Sequence, residues 1–266
     1  MTFERTPGPP PEPGPTPVLA QPDAASTPAP TPVQLRLQIL STEHWSLLAS
    51  RSLAWNESFS RAGMFLSTLS GSIVALSLIG GVDGFHDPFF AVALVVLPIV
   101  LFVGLGTWLR MGATNYHDAI AVAGMNRIRA AYLEIAPELE PYFVMGVHDD
   151  PRGIGVTMAV PPGTPALVHL IAGTPTLVVV LNAVIGGAIA ALLVLRSAAP
   201  GLVPTVAVAL VVSAVLLAIQ TRVAARNIRR GQRAMRPMFP TPGATDDLGS
   251  VFTERFPYAR LPDDPK

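Results

Sequence analysis

The sequence predicts an all-α integral membrane protein with four transmembrane helices and helical extensions on the cytoplasmic side. Two observations predict this class, and a third narrows the chemistry. Of the 266 residues, 50% are hydrophobic and only 14% are charged, whereas about a quarter of an ordinary soluble domain is charged. Four long runs contain no Asp, Glu, Lys or Arg. The absence of cysteine excludes disulfides and cysteine-ligated metal sites.

The two ends of the chain predict tails without a fold. Residues 1–32 are rich in Pro, Thr and Ala, a composition that cannot bury enough apolar surface to fold, so we expect a disordered Pro-rich tail. Residues 237–266 have the same character and predict a second disordered tail. Between the first tail and the first span, residues 33–61 lack proline and glycine. They predict a cytoplasmic amphipathic helix that continues into the span.

The first two uncharged runs predict a transmembrane hairpin over residues 62–109. Ala62–Val82 holds 21 residues and Pro88–Leu109 holds 22, and about 20 apolar residues cross the hydrocarbon core of a bilayer. Pro98 lies inside the second run. It predicts a kink there, because proline removes a backbone donor.

Residues 110–164 predict a cytoplasmic helix followed by a loop. The helical stripe that suits burial consists of Tyr116, Ile120, Gly124, Ile128, Tyr132 and Ile135. We expect Asp118 and Arg129 on the opposite side of this helix, and Gly124 to let a partner helix come close. Packing against residues 33–61 would form an antiparallel stalk.

Residues 165–221 predict an interfacial segment and a second transmembrane hairpin. The run from Pro165 to Leu195 is too long for one span, and Thr174-Pro175 offers an N-cap followed by a first-turn proline. We therefore place the third span at 175–195 and the fourth at 202–221. Residues 222–236 predict a basic juxtamembrane helix.

The arginines set the orientation of the four spans. Positive residues in short loops stay on the cytoplasmic side of a membrane. Twelve arginines flank the inner ends of the spans, and the two other loops contain only Arg196. The sequence thus predicts a multi-pass protein of a bacterial inner membrane with both termini in the cytoplasm. Such small outer loops exclude a receptor with an external binding domain.

Five of these arginines lie on the juxtamembrane helix and predict contact with lipid headgroups. Basic residues near the surface attract anionic lipids, at about 1 kcal/mol each. Nucleic acid is not an expected partner, because single-strand binders interleave aromatic residues that this segment lacks. The five residues are Arg222, Arg226, Arg229, Arg230 and Arg233.

Three polar groups are candidates for chemistry. The first is Asn115, His117 and Asp118, which could form a proton relay or a metal site, or a polar patch at headgroup level. The second is His148, Asp149 and Asp150, which could form a cation site, or a turn rich in Asp, Pro and Gly. The third is Asn182 and Gln220, two amides at membrane depth that each need a partner. No catalytic, nucleotide-binding or metalloprotease motif is present, so no cofactor is expected.

Small residues recur at helix-packing intervals in two spans. Gly63, Ser67 and Gly71 are four residues apart, and Ala183, Gly187 and Ala191 repeat the spacing. Such residues let helices approach closely in lipid. They predict contacts either within one four-helix monomer or between copies.

Three stretches carry a resemblance to a known family. Residues 41–48, 55–66 and 125–129 read STEHWSLL, WNESFSRAGMFL and MNRIR. They resemble a family of actinobacterial four-span integral membrane proteins that has no known activity. The resemblance covers residues 40 to 235. The layout of the first half, a helix, two spans and a helix, is also similar in topology to two-span effector modules of bacterial conflict systems. That similarity implies a pore-forming role.

The sequence favours a non-enzymatic membrane module that self-associates as a pore-type oligomer or a scaffold. The two short outer loops and the uncharged spans support this hypothesis. The alternative is a carrier for a small, weakly polar solute contacted by Asn182 and Gln220. A third hypothesis is an enzyme that acts on lipid from the cytoplasmic face through His117 or the His148 loop.

Overall fold

The computed structural model of the protein describes residues 31–158, 173–198 and 201–242. Within these ranges 88% of the residues are helical and none lies in a strand. Four helices are long and apolar enough to cross a membrane. The predicted all-α membrane fold is therefore confirmed. The tail expected at residues 1–30, most of the interfacial segment and the tail beyond residue 242 lie outside the described residues.

The described helices follow one another with short connections. The helix of the third predicted span begins one residue early and ends three residues late. The fourth span and the basic segment form one helix. The elements are α1 (Pro32–Asp83), α2 (Asp87–Ile135), a 3₁₀ helix (Pro137–Tyr142), α3 (Pro151–Thr157), α4 (Thr174–Ala198) and α5 (Leu202–Ala234).

Helix α1 joins the predicted amphipathic helix and the first span without a break. Its start is fixed by a capping box, in which Thr31 Oγ1 accepts from Gln34 N at 3.3 Å and Gln34 Oε1 accepts from Thr31 N at 2.8 Å. It ends where Gly84 takes a left-handed conformation with φ 67°. Its 52 residues make a rod of about 78 Å.

Helix α2 is almost as long and lies antiparallel to α1. It runs through Pro98 and ends at Ile135, before Pro137. Three ion pairs join the two helices, and their residue numbers rise along α1 (36, 51, 57) while they fall along α2 (134, 118, 110). The antiparallel register of α1 against α2 therefore continues beyond the uncharged runs. We call residues 32–61 of α1 with residues 110–135 of α2 the stalk. The pairs are Arg36–Glu134 at 3.3 Å, Arg51–Asp118 at 2.5 Å and Glu57–Arg110 at 2.8 Å.

The predicted burial of the α2 stalk face is wrong at its membrane-proximal end. Tyr116 and Ile120 are 43% and 44% exposed, whereas Asp118 is only 2% exposed. The expected positions are reversed because Arg51 of α1 meets Asp118 and neutralises it inside the interface. Gly124 does face α1, where an added Cβ would lie 2.9 Å from a methyl carbon of Leu47.

Helix α2 also organises the apolar half of the molecule. It packs against α1 on one side and α4 on another, while α5 packs mainly on α4. The shared core contains large buried side chains from three helices, including Phe65, Val100 and Val178. Gly187 brings α4 onto α5, because an added Cβ would lie 2.7 Å from the Ala209 carbonyl oxygen. The small-residue stripe of α4 is therefore used within the monomer.

Gly104 is expected to be essential for the contact between α2 and α4. In Gly104→Ala the new methyl group would collide with Asn182 Oδ1 and lie 2.7 Å from the Phe65 ring. We expect a loss of about 1–3 kcal/mol in the free energy of unfolding, the usual cost of overpacking, measured by thermal denaturation in detergent.

Gly106→Ala, two residues further along α2, is the matched control. An added Cβ at Gly106 meets no atom within 4 Å, so this variant should keep or slightly raise the stability through the higher helix propensity of Ala. Equal losses in the two variants would contradict the tight contact at Gly104.

Candidate functional site

The first polar centre is a pair of amides between the apolar helices. Asn182 Nδ2 donates to Gln220 Oε1 at 3.2 Å, and Gln220 Nε2 donates to the Val179 and Leu216 carbonyl oxygens at 3.5 and 3.4 Å. Both side chains are buried. The pair joins α4 to α5, as two amides placed in an apolar region require.

Asn182 also touches α2 through its carbonyl. Its Oδ1 is buried without a hydrogen-bond partner and lies against Gly104, where Cα–H groups can make weak contacts with oxygen. Asn182 thus bridges three helices. This geometry favours packing over solute binding, because a solute would have to displace Gln220.

The second centre is a cavity of about 230 Å³ in the stalk. Its walls are mostly apolar, with Leu47 and Ala54 of α1 opposite Ile120 of α2. His117 and Asp118 both line it, so the structure does bring these two candidates to one place, and Asn115 is not among its lining residues.

The carboxylate of Asp118 is already occupied at this cavity. It accepts hydrogen bonds from Arg51 Nε at 2.5 Å and from a terminal nitrogen of Arg51 at 3.4 Å. The exposed His117 makes no hydrogen bond with this carboxylate. Across the described ranges, no three His, Cys, Asp or Glu residues are placed to hold a metal ion.

The third centre surrounds Asp149 and fastens the segment after α5. The Asp149 carboxylate is fully buried and accepts from Arg127 Nε at 2.6 Å, Met238 N at 2.9 Å and Phe239 N at 2.8 Å. Arg127 also donates to the Arg236 carbonyl oxygen at 3.1 Å. We call these contacts the C-terminal clamp.

Asp150 extends the clamp by one further residue. Its Oδ1 accepts from Gly153 N at 2.8 Å, which caps α3, and from Thr241 Oγ1 at 2.9 Å. Its Oδ2 accepts from Thr241 N at 3.1 Å. Of the two interpretations of this acidic loop, the geometry fits the turn, because protein donors already use both carboxylates.

The predicted tail is therefore wrong at its beginning. The sequence placed residues 237–242 in a segment without structure, but three backbone N–H groups there bind the acidic loop. The physical reason is burial: two desolvated carboxylates require donors, and this segment supplies them. Composition alone cannot reveal such a distant pairing.

Sequence reasoning missed Asn126, which holds the loop to α2. Asn126 Nδ2 donates to the carbonyl oxygens of His148 at 2.7 Å and Gly153 at 3.1 Å. Its Oδ1 accepts from Thr157 Oγ1 at 2.7 Å and from an Arg129 terminal nitrogen at 2.8 Å. The one available signal was an amide on the helical face that also carries Val122 and Ala130.

Burial and local charge shift the pKa values around these contacts. Burial alone would raise the pKa of the Asp149 carboxyl, but the N–H groups of Met238, Arg127 and Phe239 together hold it below its usual value, so it is ionised at neutral pH. Burial, aided by the charge of Arg129, lowers the pKa of His44, whose Nδ1 is buried without a partner. This imidazole is therefore neutral near pH 7.

The arginines of the α5 extension behave differently from those of the stalk. All five are exposed, and none pairs with an acid in the part of the chain that the structure describes. On the opposite side of α5, Gly231 packs on Tyr116, whose ring carbon would lie 2.9 Å from an added Cβ. The five residues are Arg222, Arg226, Arg229, Arg230 and Arg233.

Comparison with protein-family models, with curated proteins and with solved structures finds no match. The resemblance to actinobacterial membrane proteins therefore stays a prediction. The function has to be inferred from the geometry of this chain.

Asp149→Asn is expected to release the segment after α5. The amide cannot match the charged acceptor that serves Arg127 and two N–H groups, and hydrogen bonds to charged groups contribute about 1.5–3 kcal/mol each. Hydrogen exchange of residues 236–242 at neutral pH should become faster in this variant, while exchange in α4 stays unchanged.

Glu138→Gln is the control for this measurement. Glu138 is an exposed acid of the 3₁₀ helix, and its replacement also removes one negative charge. Unchanged exchange after Asp149→Asn, or equal acceleration by Glu138→Gln, would show that the clamp does not hold the segment.

Proposed function

We propose that the protein is a non-enzymatic, self-associating membrane module of a bacterial inner membrane that carries its stalk on the cytoplasmic side. The observation that carries this proposal is the open small-residue face of α1. Gly63 and Gly71 lie in the first span, and an added Cβ at either position meets nothing within 4 Å. Ser67 between them is also exposed.

The contrast with α4 supports an intermolecular role for this face. Gly187 of the α4 stripe is filled by α5 within the same chain, whereas no described helix covers Gly63 or Gly71. Helix faces made of small residues drive association in lipid, because they let two backbones approach closely and gain van der Waals contact. A second copy can supply the missing contact.

The orientation follows from the positive residues. The stalk and the basic extension of α5 carry most arginines, which supports a cytoplasmic location for both termini. The single arginine of the outer loops, Arg196, pairs with Asp87 at the start of α2. That contact joins the two hairpins on the outer side.

The remaining features favour a scaffold over an enzyme or a single-chain pore. Asp118, Asp149 and Asp150 serve as acceptors in structural contacts. Phe65, Val100 and their neighbours fill the space between α1, α2 and α4, so a conducting path would have to lie between copies.

Anionic lipids are the proposed partners of the α5 extension. Arg222 directly follows the fourth predicted span, and Arg226 lies about 7.5 Å of helix beyond the end of that span, within a Debye length of about 8 Å. In native mass spectra, Arg222→Gln with Arg226→Gln should lower the number of bound anionic lipids. An unchanged lipid count would contradict this partner.

Gly63→Leu is expected to weaken self-association. The branched side chain would hold a neighbouring helix away from the face of small residues, and its Cβ meets nothing within 4 Å in its own chain. The mass of particles extracted in native-like nanodiscs should shift from a multiple of the 28.0 kDa chain toward a single chain.

Gly106→Leu is the control, because Gly106 is open in the same way on α2 but lies beside large exposed residues such as Phe102. It should leave the mass unchanged. A wild-type particle of one chain would overturn the proposed self-association.

Liposomes containing the purified protein separate a scaffold from a pore. A scaffold predicts no ion flux above that of empty liposomes at any protein density. Flux that rises steeply with density, and that Gly63→Leu abolishes, would instead show that the assembled copies conduct.

A further inference from the structure

We infer that α1 of one copy pairs with α1 of a second copy along a seam from Trp45 to Ser77, in a parallel coiled coil that continues from the membrane into the stalk. The inference rests on the proposed self-association and specifies its partner and its surface. The surface is called the α1 seam below.

The α1 seam has a strict seven-residue repeat of small or short side chains. The repeat comprises Ala49, Asn56, Gly63, Ser70 and Ser77, and all five are exposed. A repeat of seven keeps one face of two helices in contact when they supercoil with a left-handed twist. The repeat therefore marks a continuous line for a partner helix.

Larger side chains alternate with these small ones along the same line. Phe59, Leu66 and Ile73 each lie three residues from one small position and four from the next, and Trp45 lies four residues before Ala49; all four are exposed. Ser52 takes the position between Trp45 and Phe59 in this series and is also exposed. Trp45 is 67% exposed and Phe59 is 55% exposed. Large side chains that alternate with small ones supply the knobs and holes of a helix pair.

Lipid cannot cover the stalk part of the seam. Trp45 lies 17 residues before Ala62, about 25 Å along the helix. Even at a tilt of 40°, the upper range for membrane helices, it stays about 19 Å from the hydrocarbon core. The headgroup region extends only about 5–8 Å beyond that core. A protein surface could cover this exposed indole, whereas lipid could not.

The charges of α1 select a second copy as that protein. Arg51 and Glu57 turn toward α2, where they pair with Asp118 and Arg110, and the seam itself carries no charged residue. Two copies inserted in the same direction present the same helix in parallel, so each residue meets its own counterpart. A charge on the seam would then face its like, and none does.

The seam differs from the four-residue stripe of Gly63, Ser67 and Gly71 in what it predicts for the stalk. Positions four apart drift by about 40° per step around a helix of 3.6 residues per turn. Helices packed on that stripe would cross within the membrane and separate below it. Helices packed on the seam stay together as far as Trp45.

Disulfide trapping tests the seam, and a chain without cysteine gives a clean background. Ser52→Cys probes the stalk and Ser70→Cys probes the membrane. Ser50→Cys and Thr68→Cys are the controls, because both positions are exposed but lie more than 100° around α1 from the seam. Each full-length variant is oxidised in native membranes and resolved without reductant.

Ser52→Cys and Ser70→Cys should shift to the dimer band, because a disulfide needs Cα atoms about 4.4–6.8 Å apart, while both controls stay monomeric. Trapping at Ser70→Cys alone would overturn the seam but leave self-association in place. Equal trapping at all four positions would also overturn it. If no variant is trapped, an oligomeric mass overturns the seam alone, and a single-chain mass overturns the proposed function as well.

Discussion

The antiparallel pairing of α1 with α2 is the contact on which the rest of the structure depends. In the apolar half Phe65 fits against Gly104, and in the stalk Arg51 neutralises the buried Asp118. Removal of one partner from a buried ion pair typically costs about 3–5 kcal/mol, because the other charge is left without compensation. Helix α4, the 3₁₀ helix and α3 then use the remaining faces of α2.

Sequence reasoning predicted the parts of the fold that depend on local composition. Uncharged runs of about 20 residues located the spans, and the lack of proline and glycine in residues 33–61 predicted a helix that continues into the first span. The missed parts depend on partners far along the chain. Asp118 is buried because Arg51 lies opposite, and residues 238–241 are ordered because Asp149 and Asp150 require donors. No local pattern contains that information.

The polar groups of the described chain fall into two classes with different consequences. Most of those inside the structure bond to one another, as the Asn182 amide N–H does with Gln220 and Asn126 with the acidic loop. Those left open face outward, as the five exposed arginines of the α5 extension do. Together with the open α1 seam, they support a protein that works through its surfaces and its copies.

Counting the chains in one particle tests self-association most directly. One dye is attached to each chain at Ser50→Cys, outside the α1 seam, and single particles are bleached after extraction from native membranes with their lipids. Self-association predicts two or more bleaching steps in most particles at low expression. A single step in nearly all particles, with complete labelling, would contradict it.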